Sequence, residues 1–88
     1  MSVIYTQTLE MRGLKRHVFV DYFLSQGGIL VHWDLIQSSG WEVRLGTESE
    51  ISLGSITLPV VQVTFEAERE TAFSMIHAFR MRFLSAGG

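Results

Sequence analysis

Eighty-eight residues, 47% hydrophobic and 18% charged, suit one core of a single sheet and one helix layer, and exclude both two separate cores and a disordered tail. The absence of cysteine excludes a disulfide framework, a thiolate metal site and a cysteine nucleophile. A net charge of −2, with seven scattered basic residues, provides no concentrated face for phosphate contacts, so nucleic acid is not an expected partner.

Val3–Met11 reads as the first strand, with Val3, Tyr5, Leu9 and Met11 facing inward and Ile4, Thr6, Thr8 and Glu10 outward; Gln7 interrupts the inward face. Gly13 ends it. Leu14–Gln26 places Leu14, Val18, Phe19, Tyr22 and Phe23 on one broad helical face, stopped by Gly27-Gly28. His17–Leu24 is rich in β-branched and aromatic residues and also suits a strand, but a glycine pair before the alternating run Ile29–Ile36 favours the helix. In that run Ile29, Val31, Trp33 and Leu35 are expected to face the core.

Ser38-Ser39-Gly40 is a turn signal leading to Trp41, Val43 and Leu45, so the two runs read as a hairpin in which Trp33 and Trp41 share one core. Gly46–Glu50 is the next turn. Ile51–Leu58 follows as a strand with Gly54 as a bulge or close-approach point, and Pro59 marks a break before Val60–Phe65. There Val61, Val63 and Phe65 alternate with Gln62 and Thr64. The period then lengthens: Ala72, Met75, Ile76, Phe79 and Phe83 form a helical stripe flanked by Phe73 and Leu84, with Glu66, Glu68 and Glu70 near its start and Arg80 and Arg82 near its end. The expected fold is α+β, in the order β-α-β-β-β-β-α, an antiparallel sheet with two helices on one face and residues 1–88 as one domain. No leader-like opening and no membrane-length apolar run is present, so a soluble, cytoplasmic protein without membrane contact is expected.

Chemistry is sparse. His17 and Asp21 are spaced as a solvated helix pair, His32 and Asp34 share a strand face, and His77 stands alone; no phosphate loop, dinucleotide fingerprint, nucleophile elbow or zinc-ligand spacing is present. No enzyme, cofactor or metal is therefore expected. The outward face offers Ile4, Leu30, His32, Asp34 and Ile36 as candidate binding residues, for a protein partner, for a homodimer, or alternatively for a small molecule or metal. Gly87 and Gly88 could serve as the tail of a sulfur carrier, although two glycines after a helix are also an ordinary stop.

Four segments carry a resemblance: Arg16-His17-Val18-Phe19, Gly40-Trp41-Glu42-Val43, Leu53–Pro59 leading into Val63-Thr64-Phe65, and Phe79–Leu84. Through them nearly the whole chain resembles the C-terminal domain of MoaD-related proteins, a small family often fused behind a molybdopterin-synthase small-subunit-like domain. The resemblance implies a TATA-binding-protein-like fold and a non-enzymatic accessory role linked to molybdopterin or sulfur-carrier pathways. A fold shared with a DNA binder does not transfer DNA binding.

Overall fold

The structure is a computed structural model that describes residues 3–83. Six strands and two helices follow one another as β1 (Ile4–Arg12), α1 (Arg16–Ser25), β2 (Ile29–His32), β3 (Leu35–Ser38), β4 (Trp41–Leu45), β5 (Ser49–Leu53), β6 (Ile56–Glu68) and α2 (Arg69–Phe83). The fold class is the expected one, an α+β arrangement with an antiparallel sheet, containing one strand more than the sequence pattern suggested between the helices.

The thirteen-residue β6 is the spine of the sheet. Strand order is β1-β6-β4-β3-β2, and β5 pairs only with β6. On one side of β6, Val60–Glu68 pairs with β1; on the other, Val63–Ala67 pairs with β4 and Ile56–Val60 with β5. Strands β4 and β5 thus lie end to end along the same edge. Because β1 stops opposite Val60, the segment Ile56–Pro59 has β5 as its sole strand partner, and the β5–β6 hairpin projects as a two-stranded arm.

Strand period decides which residues meet the helices. Val61, Val63, Phe65 and Ala67 turn to one face and are buried, joined by Val43 and Leu45 from β4 and by Ile36 from β3. Both helices cover that face. Phe79 of α2 is fully buried at the centre, its ring stacked on Phe23 of α1 at 5.5 Å and edge-on to Phe65 at 5.2 Å. Phe19, Tyr22 and Phe83 complete the aromatic cluster. Helix α1 ends in a Schellman motif: Gly27 takes φ +96°, its N–H donates to Leu24 O, and the Gly28 N–H donates to Phe23 O.

Several local expectations are corrected. The run Ile29–Ile36 is two strands joined by a turn at Trp33-Asp34, with a bulge between Leu30 and His32. Ile36, expected on the outer face, pairs with Val43 on the helix side and is fully buried. Trp33, expected in the core, is 55% exposed, while Trp41 packs on Phe23 at 6.1 Å. Gly54 is not a bulge but the first residue of the two-residue β5–β6 turn, with φ +65° that glycine adopts without strain.

Pro59 lies inside β6 instead of breaking it. Its carbonyl accepts from Gly13 N at 2.9 Å, on the side where β1 has already ended. The N–H that proline lacks would have pointed the same way, so no ladder bond to β5 is lost. Glu66 and Glu68 belong to β6 and not to the first turn of α2. Phe73 is half exposed, held edge-on against Tyr5 at 4.9 Å, and Leu84 lies outside the described residues.

Candidate functional site

The sheet face opposite the helices is the surface from which a site has to be built. Its centre is polar and largely satisfied by itself. Thr8 and Thr64 share a hydroxyl hydrogen bond of 2.8 Å across the β1–β6 pair, Arg12 Nε donates to Glu10 at 2.8 Å, and Gln62 donates to the other Glu10 oxygen at 3.2 Å. The Arg12 hydrogen bond and charge hold the Glu10 carboxyl below its ordinary range. These are short-range pairs on exposed strands, the pattern of a wet sheet face.

At the β2–β3 turn the geometry is more specific. The Asp34 carboxylate accepts from His32 Nδ1 at 2.8 Å through one oxygen, and its other oxygen lies 3.6 Å from the Arg44 guanidinium. The hydrogen bond from His32 is the largest cause that lowers the Asp34 pKa, with His32 and Arg44 charge adding to it against some desolvation. Alongside, Arg16 reaches from the first turn of α1. It donates to Gly46 O at 2.8 Å, Trp33 O at 2.7 Å and Leu45 O at 3.1 Å, and its guanidinium sits 5.3 Å from the centre of the Trp33 ring. Glu48 in turn accepts from the Arg16 backbone N–H at 2.7 Å, placing a carboxylate at the positive end of α1. The turn is thus pinned to the helix layer, and it presents a fixed imidazole to solvent. Among the described residues no group of His, Asp and Glu is arranged to hold a metal ion, and no buried side-chain polar atom lacks a partner.

The sequence candidates separate in space. Ile4 is exposed at the start of β1, lining a shallow groove of about 470 Å³ with Trp41, Glu42, Glu66 and Glu68. His32 ends β2 and Asp34 lies in the β2–β3 turn instead of on a shared strand face, yet their side chains meet; they sit beside the opposite sheet edge from Ile4, four strand steps or roughly 19 Å across the sheet at about 4.8 Å per step. Leu30 sits on the β2 edge, opposite Ile36 and hence toward the helix side, half exposed. Ile36 is buried and touches no open surface. One contiguous patch from these five residues does not form. Gly87 and Gly88 fall outside the described residues.

Two apolar surfaces escaped the sequence reading. One is the arm, where Ile51 faces Leu58 and Leu53 faces Ile56 on one side of the ribbon, with Leu53 49% and Ile56 58% exposed. The other is β2 itself, all four of whose residues are exposed. The only available signals were the contiguous Ile29-Leu30-Val31 and the Leu53-Gly54-Ser55-Ile56 hairpin pattern.

No curated protein and no solved structure matches the chain. The family described as archaeal MoaD-like protein matches residues 7–88, which takes in the larger part of β1 and every element from α1 to α2. With nearly all of its length matched, the chain belongs to the archaeal MoaD-like family.

Proposed function

We propose that this chain is a non-catalytic interaction domain that acts beside carriers of the MoaD type, and that it docks its protein partner through the β5–β6 arm. One observation carries the reading: the arm holds an apolar face, Ile51, Leu53, Ile56 and Leu58, beyond the end of β1, and β5 packs substantially on β6 alone. A lone two-stranded ribbon is marginal in water, and an apolar face on one is a surface suited to being covered. Family membership supports the choice of partner class.

The test is titration of the isotope-labelled chain with a purified MoaD-type carrier from the same source. Shifts should concentrate on residues 49–58, and the double variant Leu53→Ser, Ile56→Ser should weaken binding at least tenfold with the melting curve of the core kept. Absence of binding up to about 1 mM, the weak end of specific association, would discard the proposal. So would binding indifferent to the double variant.

The family description favours a second reading, in which Gly87-Gly88 carries an activated carboxylate. Here the residues before the tail form α2, a helix that continues to Phe83. Intact-mass analysis after incubation with ATP and a cognate adenylating enzyme decides it: a C-terminal adenylate on the full chain, formed with release of pyrophosphate and absent from a chain ending at Ala86, establishes the carrier reading.

A further inference from the structure

The β5–β6 arm is joined to the sheet by two roots of different kinds. One is β6 itself, which runs without interruption from Ile56 into its ladders with β1 and β4. There the Gly13 N–H donates to Pro59 O at 2.9 Å, so the sheet fastens this root directly. The other root is the connection between β4 and β5, residues 46–48, which belongs to no strand. The Gly46 N–H ties its start to Gln62 O of β6 at 2.9 Å. Both ends of the connection are then held by one residue of α1: Arg16 Nε donates to Gly46 O at 2.8 Å, and the Arg16 backbone N–H donates to the Glu48 carboxylate at 2.7 Å.

The second of these bonds answers a need of the helix. A helix start presents backbone N–H groups that have no partner inside the helix, and partial positive charge gathers there. A serine, threonine, aspartate or asparagine at the N-cap ordinarily supplies the acceptor. In α1 that position is Lys15, whose side chain caps nothing, and the first turn contains no acidic residue. Glu48 supplies both the acceptor and the negative charge, from 32 residues away in sequence and from the residue just before β5.

We infer that Glu48 is a clasp between α1 and the arm: by capping the helix from the connection that leads into β5, it holds the arm's second root and restrains the arm's opening. Two strands alone are marginal in water, so residues 49–58 open more readily than the sheet behind them. Pulling β5 from β6 carries the connection with it and strips α1 of its cap, so each opening of the arm is also an uncapping of the helix. The coupling is reciprocal, and whatever steadies the arm steadies the first turn of α1. Its consequence for recognition rests on the reading of the arm as the docking element: a clasped arm offers its apolar face already ordered, which lowers the entropy lost on binding.

Amide hydrogen exchange of the free full chain, read residue by residue by NMR, tests the clasp. Glu48 is exposed, so its replacement leaves the core packing intact. In Glu48→Ala the amides of residues 49–58 and of Arg16 should exchange about two- to tenfold faster than in the parent, the span that loss of a helix cap corresponds to. Glu48→Gln keeps an acceptor oxygen at the same place and should stay within about twofold of the parent. Phe73→Ala weakens the domain at the Tyr5 contact and separates local from global opening: it should quicken the amides of β6 that pair with β1 and leave residues 49–58 at the parent's rates. Arm amides unchanged in Glu48→Ala overturn the inference, as does a glutamine variant as fast as the alanine one. Arm amides that quicken as much in Phe73→Ala as in Glu48→Ala overturn it too, since the arm would then open only with the whole domain. The carrier titration judges docking, and exchange judges the clasp with no partner present, so either can fail alone.

Discussion

Replacing Phe79 by alanine is the most direct probe of how this domain is held together. The ring is fully buried and meets five other aromatic rings, from Phe19, Tyr22, Phe23, Phe65 and Phe83, at centroid distances of 5.0 to 5.7 Å. A buried phenylalanine removes about 150–250 Å² from water, about 4–6 kcal/mol at 25 cal/mol per Å², of which alanine retains a part. The neighbours belong to both helices and to β6, so the site cannot close without moving three elements, and the cost falls at about 3–5 kcal/mol. Against the roughly 5–15 kcal/mol total stability of a small domain, that is the difference between a folded and a marginal protein.

Urea unfolding followed by circular dichroism and by the fluorescence of Trp41, which lies against Phe23, gives the free energy directly. The reference variant is Phe73→Ala. Phe73 is half exposed, meets one aromatic ring, Tyr5, edge-on and lies 5.8 Å from the Arg69 guanidinium, so its loss should cost only about 0.5–1.5 kcal/mol. If the two alanine variants prove equally destabilised, or Phe79→Ala loses less than about 1 kcal/mol, the aromatic cluster is not the centre of the fold and the reasoning fails.

Gly28→Ala should destabilise by about 1–3 kcal/mol, because its added carbon would lie 2.5 Å from Ile36 Cγ2 and 2.7 Å from Trp41, both packed against the core; a melting temperature equal to the parent's would contradict this. Arg16→Ala should cost about 1–3 kcal/mol by removing a charged donor from three backbone carbonyls, and Arg16→Lys should not restore it, since one ammonium cannot serve the same fork; the checks are thermal melts and the Trp33 emission. For Asp34, the folded-state pKa is depressed, so its contribution is present above the unfolded value of about 3.9 and is lost as pH falls through the folded value. A carboxyl titration by carbon NMR should therefore give a midpoint that rises in His32→Ala, and an identical midpoint in both proteins would remove His32 as the cause.

What the sequence showed clearly was the side of each element that pays attention to a single period. In β4 and in the Val61–Phe65 stretch of β6 the apolar residues fall on one phase, and in α2 most gather on one stripe with Phe73 and Met81 outside it, so the buried sets Val43 and Leu45, Val61, Val63 and Phe65, and Ala72, Ile76 and Phe79 follow from it. Ile29–Ile36 failed for the converse reason. Both phases there are apolar, Ile29, Val31, Trp33 and Leu35 on one and Leu30 and Ile36 on the other, so alternation could not choose between them. The turn inside the run, Trp33-Asp34, contains neither glycine nor proline, and its one turn-favouring residue, Asp34, also fitted the polar side of an alternating strand. With the phase inverted, Ile36 was assigned to a binding face when it is core. Pairing of His32 with Asp34 was visible because it depends on two neighbouring residues. The exposed edge of β2 and the uncovered length of the arm were not, because both depend on where β1 and β4 stop along β6, a long-range property of strand order.

The physical layout restricts where recognition can occur. The helix face of the sheet is filled by rings, and the centre of the other face is tied up in hydrogen bonds between Thr8 and Thr64 and among Glu10, Arg12 and Gln62. Apolar surface is left on the β5–β6 arm and the β2 edge, besides Ile4 at the start of β1 and Phe73 and Met81 on α2. Arg16 joins the arm to the β2 edge: its guanidinium holds the carbonyl of Trp33 next to β2 and those of Leu45 and Gly46 where β4 leads toward β5, and its own backbone N–H is held by Glu48 just before the arm. A domain built this way can place an arm and an edge at fixed positions relative to each other through one side chain. The first turn of α1 therefore does two things at once: Arg16 fixes the β2–β3 turn and the β4–β5 connection against the helix, while Phe19, three residues on, enters the aromatic cluster 5.7 Å from Phe79.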